Sequence, residues 1–239
     1  DNYFLYLGNN FPIMTIKEVV DFLNFFINKA TGAFLTIQEC IDILDRGSLS
    51  LFEDLKKRYA TSQDVKDALA PFKATYDFTP STTVSGYIVI PSNSNFLSLL
   101  DIQIQYAISN RTIYAGVSLP NEDERANRLN SQIDPVTVTS PIGEITAPRY
   151  IRLYPTSGYT GTVTYFRRPV KPVYAYTVIS GRVIVYDSAN STQLEWSEMW
   201  INSVVIKGLA TIGINLSSDM LTQYAQLKTQ ENYQGVNML

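Results

Sequence analysis

The chain has 239 residues, enough for one large domain or two modest ones with a real core. Hydrophobic residues make up 45% and charged residues 17%, the net charge is −3, and there is no His and a single Cys. This composition excludes a disordered chain, a broadly basic nucleic-acid binder, His-dependent triads, His-ligated zinc or haem, imidazole pH switches, intrachain disulfides and Cys-cluster metal sites.

The opening Asp1-Asn-Tyr-Phe-Leu-Tyr-Leu-Gly has no basic region ahead of its short apolar run, so no secretory leader is expected. The chain does not start with Met, which leaves room for a few residues upstream. No apolar stretch approaches the roughly 18 residues of a membrane helix. One unpaired Cys fits a reducing cytoplasm.

Residues 1–78 read as helical. Thr15-Ile-Lys-Glu18 is a capping box, in which the Thr hydroxyl takes a backbone N–H three residues on and the Glu reaches back. Ile16, Val19, Val20, Leu23, Phe26 and Ile27 follow at helical spacing. Thr36-Ile-Gln-Glu39 is a second box, with Ile37, Cys40, Ile41 and Leu44 behind it. Gly47 stands where a helix C-terminus expects it, and Ser50-Leu-Phe-Glu53 is a third capping box, predicting a third helix with Leu51, Leu55 and Tyr59. A fourth, short helix is predicted from Ser62 to Ala70, stopped by Pro71.

Residues 79–196 change character, holding ten of the sixteen tyrosines, nine of the eleven prolines and eight of the ten arginines. Strands are predicted at Val84–Ile90, Ile102–Ile108, Arg111–Val117, Ile133–Thr139, Tyr150–Leu153, Thr162–Phe166, Tyr174–Ile179 and Val183–Tyr186. Ser109-Asn110, Thr156-Ser-Gly158 and Ser180-Gly181 supply turns, the last as a tight hairpin. Asn121–Leu129 is charged and reads as a loop or short helix. Residues 197–239 are helical again, with Ile201, Val204, Val205, Gly208, Leu209 and Ile212 in one stripe, broken by Gly213. Ser217-Ser218-Asp219 caps a second helix with Met220, Leu221, Tyr224 and Leu227, and the tail Asn232–Leu239 has no period.

The order helices, strands, helices predicts an α+β protein. Its helical bundle is built from both ends of the chain (1–78 and 197–239), and an antiparallel β-sandwich or barrel-like domain (79–196) is inserted in it. The C-terminal helices are expected to pack on the N-terminal ones, because both carry apolar stripes that need partners.

The residues offer little chemistry. Cys40 sits on an apolar helix face with no His to activate it, and reads as a core cysteine. Asn121-Glu-Asp-Glu-Arg125 lacks the spacing of a calcium loop; a solvated loop is the plainer reading and a weak cation site the other. Glu144 and Asp187 are candidates for a paired-carboxylate site by location alone. Thr31-Gly and Thr160-Gly-Thr are lone glycines, not phosphate loops. No cofactor is expected.

Arginine with tyrosine is the composition of protein interfaces, of sugar-stacking sites and of ordinary cross-strand packing, and the residues leave all three open. Arg149, Arg152, Arg167 and Arg168 lie in or beside predicted strands and are candidate interface residues. Adjacent Arg167 and Arg168 point to opposite faces, so one can pair within its domain and the other across an interface. The apolar ends, Asp1–Met14 and Asn232–Leu239 with Tyr233, Val236, Met238 and Leu239, are candidate arms onto a neighbour, or fold back on their own helices.

Two stretches carry a family resemblance. One runs from Arg125-Ala-Asn-Arg128-Leu-Asn through Pro148-Arg-Tyr150 and Ile151-Arg-Leu-Tyr154-Pro155 to Val163-Thr-Tyr-Phe-Arg-Arg-Pro169. The other runs from Pro172-Val-Tyr-Ala-Tyr-Thr-Val-Ile-Ser-Gly181-Arg-Val-Ile-Val-Tyr-Asp187 through Leu194-Glu-Trp to Ile206-Lys-Gly-Leu-Ala-Thr-Ile-Gly-Ile-Asn-Leu216 and the Gln-rich end. Together, over about the last half of the chain, they resemble the head-to-tail connector or ring proteins of crAss-like podoviruses. The resemblance implies a non-enzymatic virion protein, made in the host cytoplasm. It implies a homo-oligomeric ring, commonly of twelve copies, that docks on the portal protein. The ring would meet the next tail component and surround the channel through which DNA passes without specific binding. No membrane is involved and no catalytic residue is carried over. A different tail ring, a fibre-anchoring virion protein and a carbohydrate-binding module or glycosidase are the other readings.

Overall fold

The computed structural model describes residues 14–32, 34–79, 83–84, 87–108, 111–155, 160–180 and 183–214. The elements in chain order are α1 (Ile16–Thr31), α2 (Ile37–Lys56), α3 (Gln63–Leu69), β1 (Lys73–Phe78), β2 (Thr83–Val84), β3 (Tyr87–Val89), β4 (Phe96–Ile108) and β5 (Arg111–Gly116). They continue with α4 (Glu122–Leu129), β6 (Ile142–Ala147), β7 (Tyr150–Tyr154), β8 (Thr160–Arg167), β9 (Tyr176–Ile179), β10 (Val183–Tyr186) and α5 (Glu198–Thr211). This is a mixed α+β chain with antiparallel sheets, and it divides into two compact units. One holds the described residues up to Pro71 and from Pro169 onward; the other is Phe72–Arg168.

In the helical unit, two of the three predicted capping boxes form, those at Thr15 and Thr36. Thr15 Oγ1 accepts the Glu18 N–H at 3.3 Å, and Glu18 Oε2 accepts the Thr15 N–H at 2.7 Å. Thr36 and Glu39 repeat the pair at 3.3 and 2.8 Å. Every apolar residue of the α1 stripe is buried. The helix closes at Gly32, whose φ of +69° is left-handed and whose N–H bonds Asn28 O at 2.7 Å.

The predicted break at Gly47 does not occur: α2 runs unbroken to Lys56, and Ser50–Glu53 lies inside it. The glycine serves the crossing of α2 with α5 instead. A Cβ on Gly47 would stand 2.3 Å from Val204 O and 2.7 Å from Gly208 N, and one on Gly208 would stand 2.7 Å from Ile43 O. The two helices therefore touch backbone to backbone, with Ile43, Leu44, Leu51, Ile201, Val204, Val205 and Leu209 buried around them. Trp196, just ahead of α5, is buried and donates its indole N–H to the hydroxyl of buried Ser48 at 2.7 Å. The short helix at Ser62 forms as α3 and passes into a 3₁₀ turn, Ala70–Phe72. The helix predicted from Ser217 lies outside the described residues.

The hairpin β9–β10, expected within the β-domain, belongs to the helical unit. Its flanks are tied there by polar contacts: Lys171 Nζ to Asp42 at 2.6 Å, the Val170 N–H to Glu195 at 2.7 Å, and the Ile16 N–H to the Gln193 side chain.

The β-rich unit holds two open four-stranded antiparallel sheets, in the orders β1-β8-β4-β5 and β2-β3-β7-β6. Phe78, Ile102, Ile104, Val163 and Tyr165 from the first share one core with Ile88, Ile151 and Leu153 from the second. Residues 73–78, expected within the helical part, form β1 because they pair along β8 from Lys73↔Phe166 to Phe78↔Gly161. The strand expected at Ile133–Thr139 is absent. Ser131 Oγ accepts the N–H groups of Ile133 and Asp134 in a tight turn, and Ile133 is 98% exposed. Ile142–Ala147, not anticipated, forms β6 beside β7.

Candidate assembly surface

The catalytic candidates are all committed to structure. Cys40 is fully buried in α2, and burial pushes its thiol up to about 11, so it is neutral at physiological pH. Asn121 Oδ1 caps α4 by accepting the Glu124 N–H at 2.8 Å, which makes the acidic run Glu122–Glu124 a helical first turn. Among the described residues, no group of three or more Asp, Glu or Cys is placed to hold a metal ion. Glu144 on β6 accepts the Tyr154 hydroxyl at 3.2 Å and pairs with Arg125 at 3.3 Å. Asp187 follows β10 in the helical unit. Its carboxylate accepts the Asn190 side chain at 2.6 Å and the N–H groups of Ala189 and Asn190, which hold it below the usual carboxylate range. These bonds favour the ionised carboxylate and hold the turn that follows β10.

The four arginines lie in the β-rich unit. Arg149 sits at the β6–β7 turn with φ +71°, donates its guanidinium to Ile90 O at 3.0 Å, and takes the Ile90 N–H on its own carbonyl at 3.0 Å. Arg152 on β7 lies over two rings, 5.6 Å from that of Tyr87 and 5.1 Å from that of Tyr154. Desolvation raises the Tyr154 hydroxyl above its usual value. Arg167, half-buried at the end of β8, lies 5.9 Å from the Phe72 ring, whereas Arg168 is exposed and its backbone N–H bonds Asn95 O at 2.8 Å. Tyr233, Val236, Met238 and Leu239 lie outside the described residues, as do residues 1–13.

Sequence reasoning passed over the surface that stands out most. On β9–β10, Tyr176, Val178, Ile179, Val183, Ile184 and Val185 are all exposed, by 41–56%. At the foot of this ribbon, beside the start of α2, lies a cleft of about 630 Å³ lined by Leu35, Ile37, Ile41, Pro172, Val173 and Tyr174, among others. The Lys171–Asp42 pair stands at its rim and depresses the Asp42 carboxyl below its usual range.

The foot is firmly built. Val173 and Thr192 exchange both backbone hydrogen bonds, at 3.1 and 2.9 Å. Ser191 Oγ accepts the Ala175 N–H at 3.0 Å and donates to Asp187 O at 2.6 Å. Tyr174 packs on the Tyr186 ring at 4.9 Å. The sequence gives no sign of the exposure: Tyr176–Ile179 and Val183–Tyr186 contain no charge and, apart from the tyrosine hydroxyls, only one polar side chain, Thr177, which is the pattern of a strand buried on both faces.

No protein-family model matches the chain, and no curated protein matches it.

Proposed function

We propose that this chain is a non-enzymatic virion subunit, a head-to-tail connector that forms a homo-oligomeric ring below a portal protein and surrounds the path of the genome. The observation that carries the reading is the ribbon β9–β10, whose strands carry no charge and expose apolar side chains on both faces above a hydrogen-bonded foot. Exposed apolar surface of this kind is a liability in a lone molecule and an asset in an assembly. The resemblance over the last half of the chain points the same way. The mixed α+β class and the helices–strands–helices order support it. The commitment of Cys40, Glu144 and Asp187 to packing and turns supports a mechanical role over a catalytic one. The net charge of −3 suits a passage that lets DNA slide without holding it.

Mass photometry of the purified full-length chain, alone and with portal protein, tests this. A discrete high-order ring in either sample is the expected result. A chain that stays monomeric in both overturns the reading.

A further inference from the structure

A free strand edge presents unpaired N–H and C=O groups, and proteins usually blunt it with charge, proline or a bulge. The strands of β9–β10 have none of these. They hold no charged residue and no proline, and their pairing from Tyr176↔Tyr186 to Ile179↔Val183 has no register shift. Among the described residues neither strand pairs with a third. A lone two-stranded ribbon is marginal in water, and this one has little packing to help it, since Tyr176, Val178, Ile179, Val183, Ile184 and Val185 are 41–56% exposed.

The start of α1 is fixed at the foot of the same ribbon. The Ile16 N–H donates to the Gln193 side chain, and the Gln193 amide donates to the Tyr186 hydroxyl at 3.2 Å. On the β9 side, the Tyr174 hydroxyl is raised above its usual value by burial and by the charge of Asp21 on α1. The chain ahead of α1 therefore sets out from the base of β9. It contains Tyr-Phe-Leu-Tyr-Leu at residues 3–7, uncharged, apolar at every position, and followed by Gly8-Asn-Asn10. Such a run is strand-like in composition and length. Residues 215–239, the other long stretch beyond the described residues, hold no apolar run longer than two.

We propose that residues 3–7 of the same chain add to the free edge of β9 as a third, antiparallel strand. The reach is sufficient: residues 8–14 span up to about 23 Å, and a four-residue strand is about 13 Å long. The direction follows from the tether. β9 climbs from the foot, and a segment that descends toward α1 runs antiparallel to it, the commoner pairing. Both sides of the run are apolar, so either register sets Tyr, Phe or Leu beside the Val and Ile of β9. A short tether holds the segment at a high effective concentration, which no free partner matches. The added strand leaves both apolar faces of the ribbon open and widens them, and the inference does not depend on the connector reading.

Hydrogen exchange of the full-length chain tests it. The amides of residues 3–7 are expected to exchange at least tenfold more slowly than in a free peptide of that sequence, at any protein concentration. Leu5→Pro, which removes a strand N–H, is expected to speed exchange at least tenfold both there and in Tyr176–Ile179, with an unchanged denaturant midpoint in Trp fluorescence. Leu5→Thr, which keeps the N–H and strand propensity, is expected to retain the protection.

Unprotected amides at residues 3–7 overturn the proposal. So does a Leu5→Pro chain in which Tyr176–Ile179 exchanges as in wild type, because the segment then docks elsewhere. Protection that disappears on dilution assigns the strand to a neighbouring copy and overturns the same-chain pairing. None of these results bears on the connector reading, which stands or falls on ring formation in mass photometry.

Discussion

In the helical unit, α2 and α5 meet at Gly47 and Gly208, two residues far apart in sequence whose missing side chains let backbones touch. In the β-rich unit the corresponding close approach is Gly161 of β8, where a Cβ would stand 2.2 Å from Gln103 O on the neighbouring strand. The interiors are thus built alike, and the surfaces are not. The β-rich unit carries seven of the ten arginines, and Arg149, Arg152 and Arg167 have carbonyl or aromatic partners within it. The helical unit carries the β9–β10 ribbon, where apolar side chains stand in solvent. An interface is marked less by its residue types than by groups left unsatisfied. Arginine and tyrosine that satisfy each other say little about partners, whereas an apolar ribbon without cover says a good deal.

The comparison can be tested unit by unit, because both tryptophans, Trp196 and Trp200, lie in the helical unit, so their fluorescence follows that unit. Gly47→Ala should have the largest effect, about 3 kcal/mol or more, because the added methyl meets backbone atoms of α5 that cannot turn aside. The readout is a lower denaturant midpoint in Trp fluorescence. Gly161→Ala should cost a similar amount, about 3 kcal/mol, read as lost amide protection across β4 and β8. Protection in β4 and β8 equal to wild type would show that the sheet yields where the helix pair does not.

Ser48→Ala comes next, at about 2 kcal/mol, since it strands the buried Trp196 N–H. Urea titration followed at Trp196 checks it, and an unchanged midpoint would mean that water takes the place of the hydroxyl. Thr36→Ala should cost about 1 kcal/mol through loss of the α2 cap, measured the same way.

The smallest effect is electrostatic. Lys207 holds the Asp54 carboxyl below its usual value by a hydrogen bond and by charge, between side chains about two-fifths exposed. A depressed folded-state pKa means stabilisation that is present above the unfolded carboxyl value, about 4, and lost as pH falls through the folded one. The difference in urea midpoint between wild type and Lys207→Met should therefore be flat from neutral pH to about 5 and shrink below about 4. A difference that persists at low pH would mean that the Lys207 stem, not its charge, is what stabilises the crossing.

The sequence by itself determined the local structure. The Thr15 and Thr36 boxes, the α1 stripe and most strands of the β-rich unit follow from signals within a few residues of where they act. The helices–strands–helices order and the mixed α+β class follow from the same signals. Tertiary structure decided the rest. Gly47 carries one local signal that fits a helix end and a helix crossing equally, and α5, arriving from the far end of the chain, selects the crossing. Lys73–Phe78 becomes a strand because β8 pairs with it, and Ile133–Thr139 does not because Ser131 turns the chain there instead. Whether Arg152 faces a partner or two tyrosine rings depends on cross-strand register. The ribbon Tyr176–Tyr186 was legible as a hairpin, but its exposure was not. Burial is a property of what arrives on the other side of a side chain, and residues adjacent in sequence do not encode that.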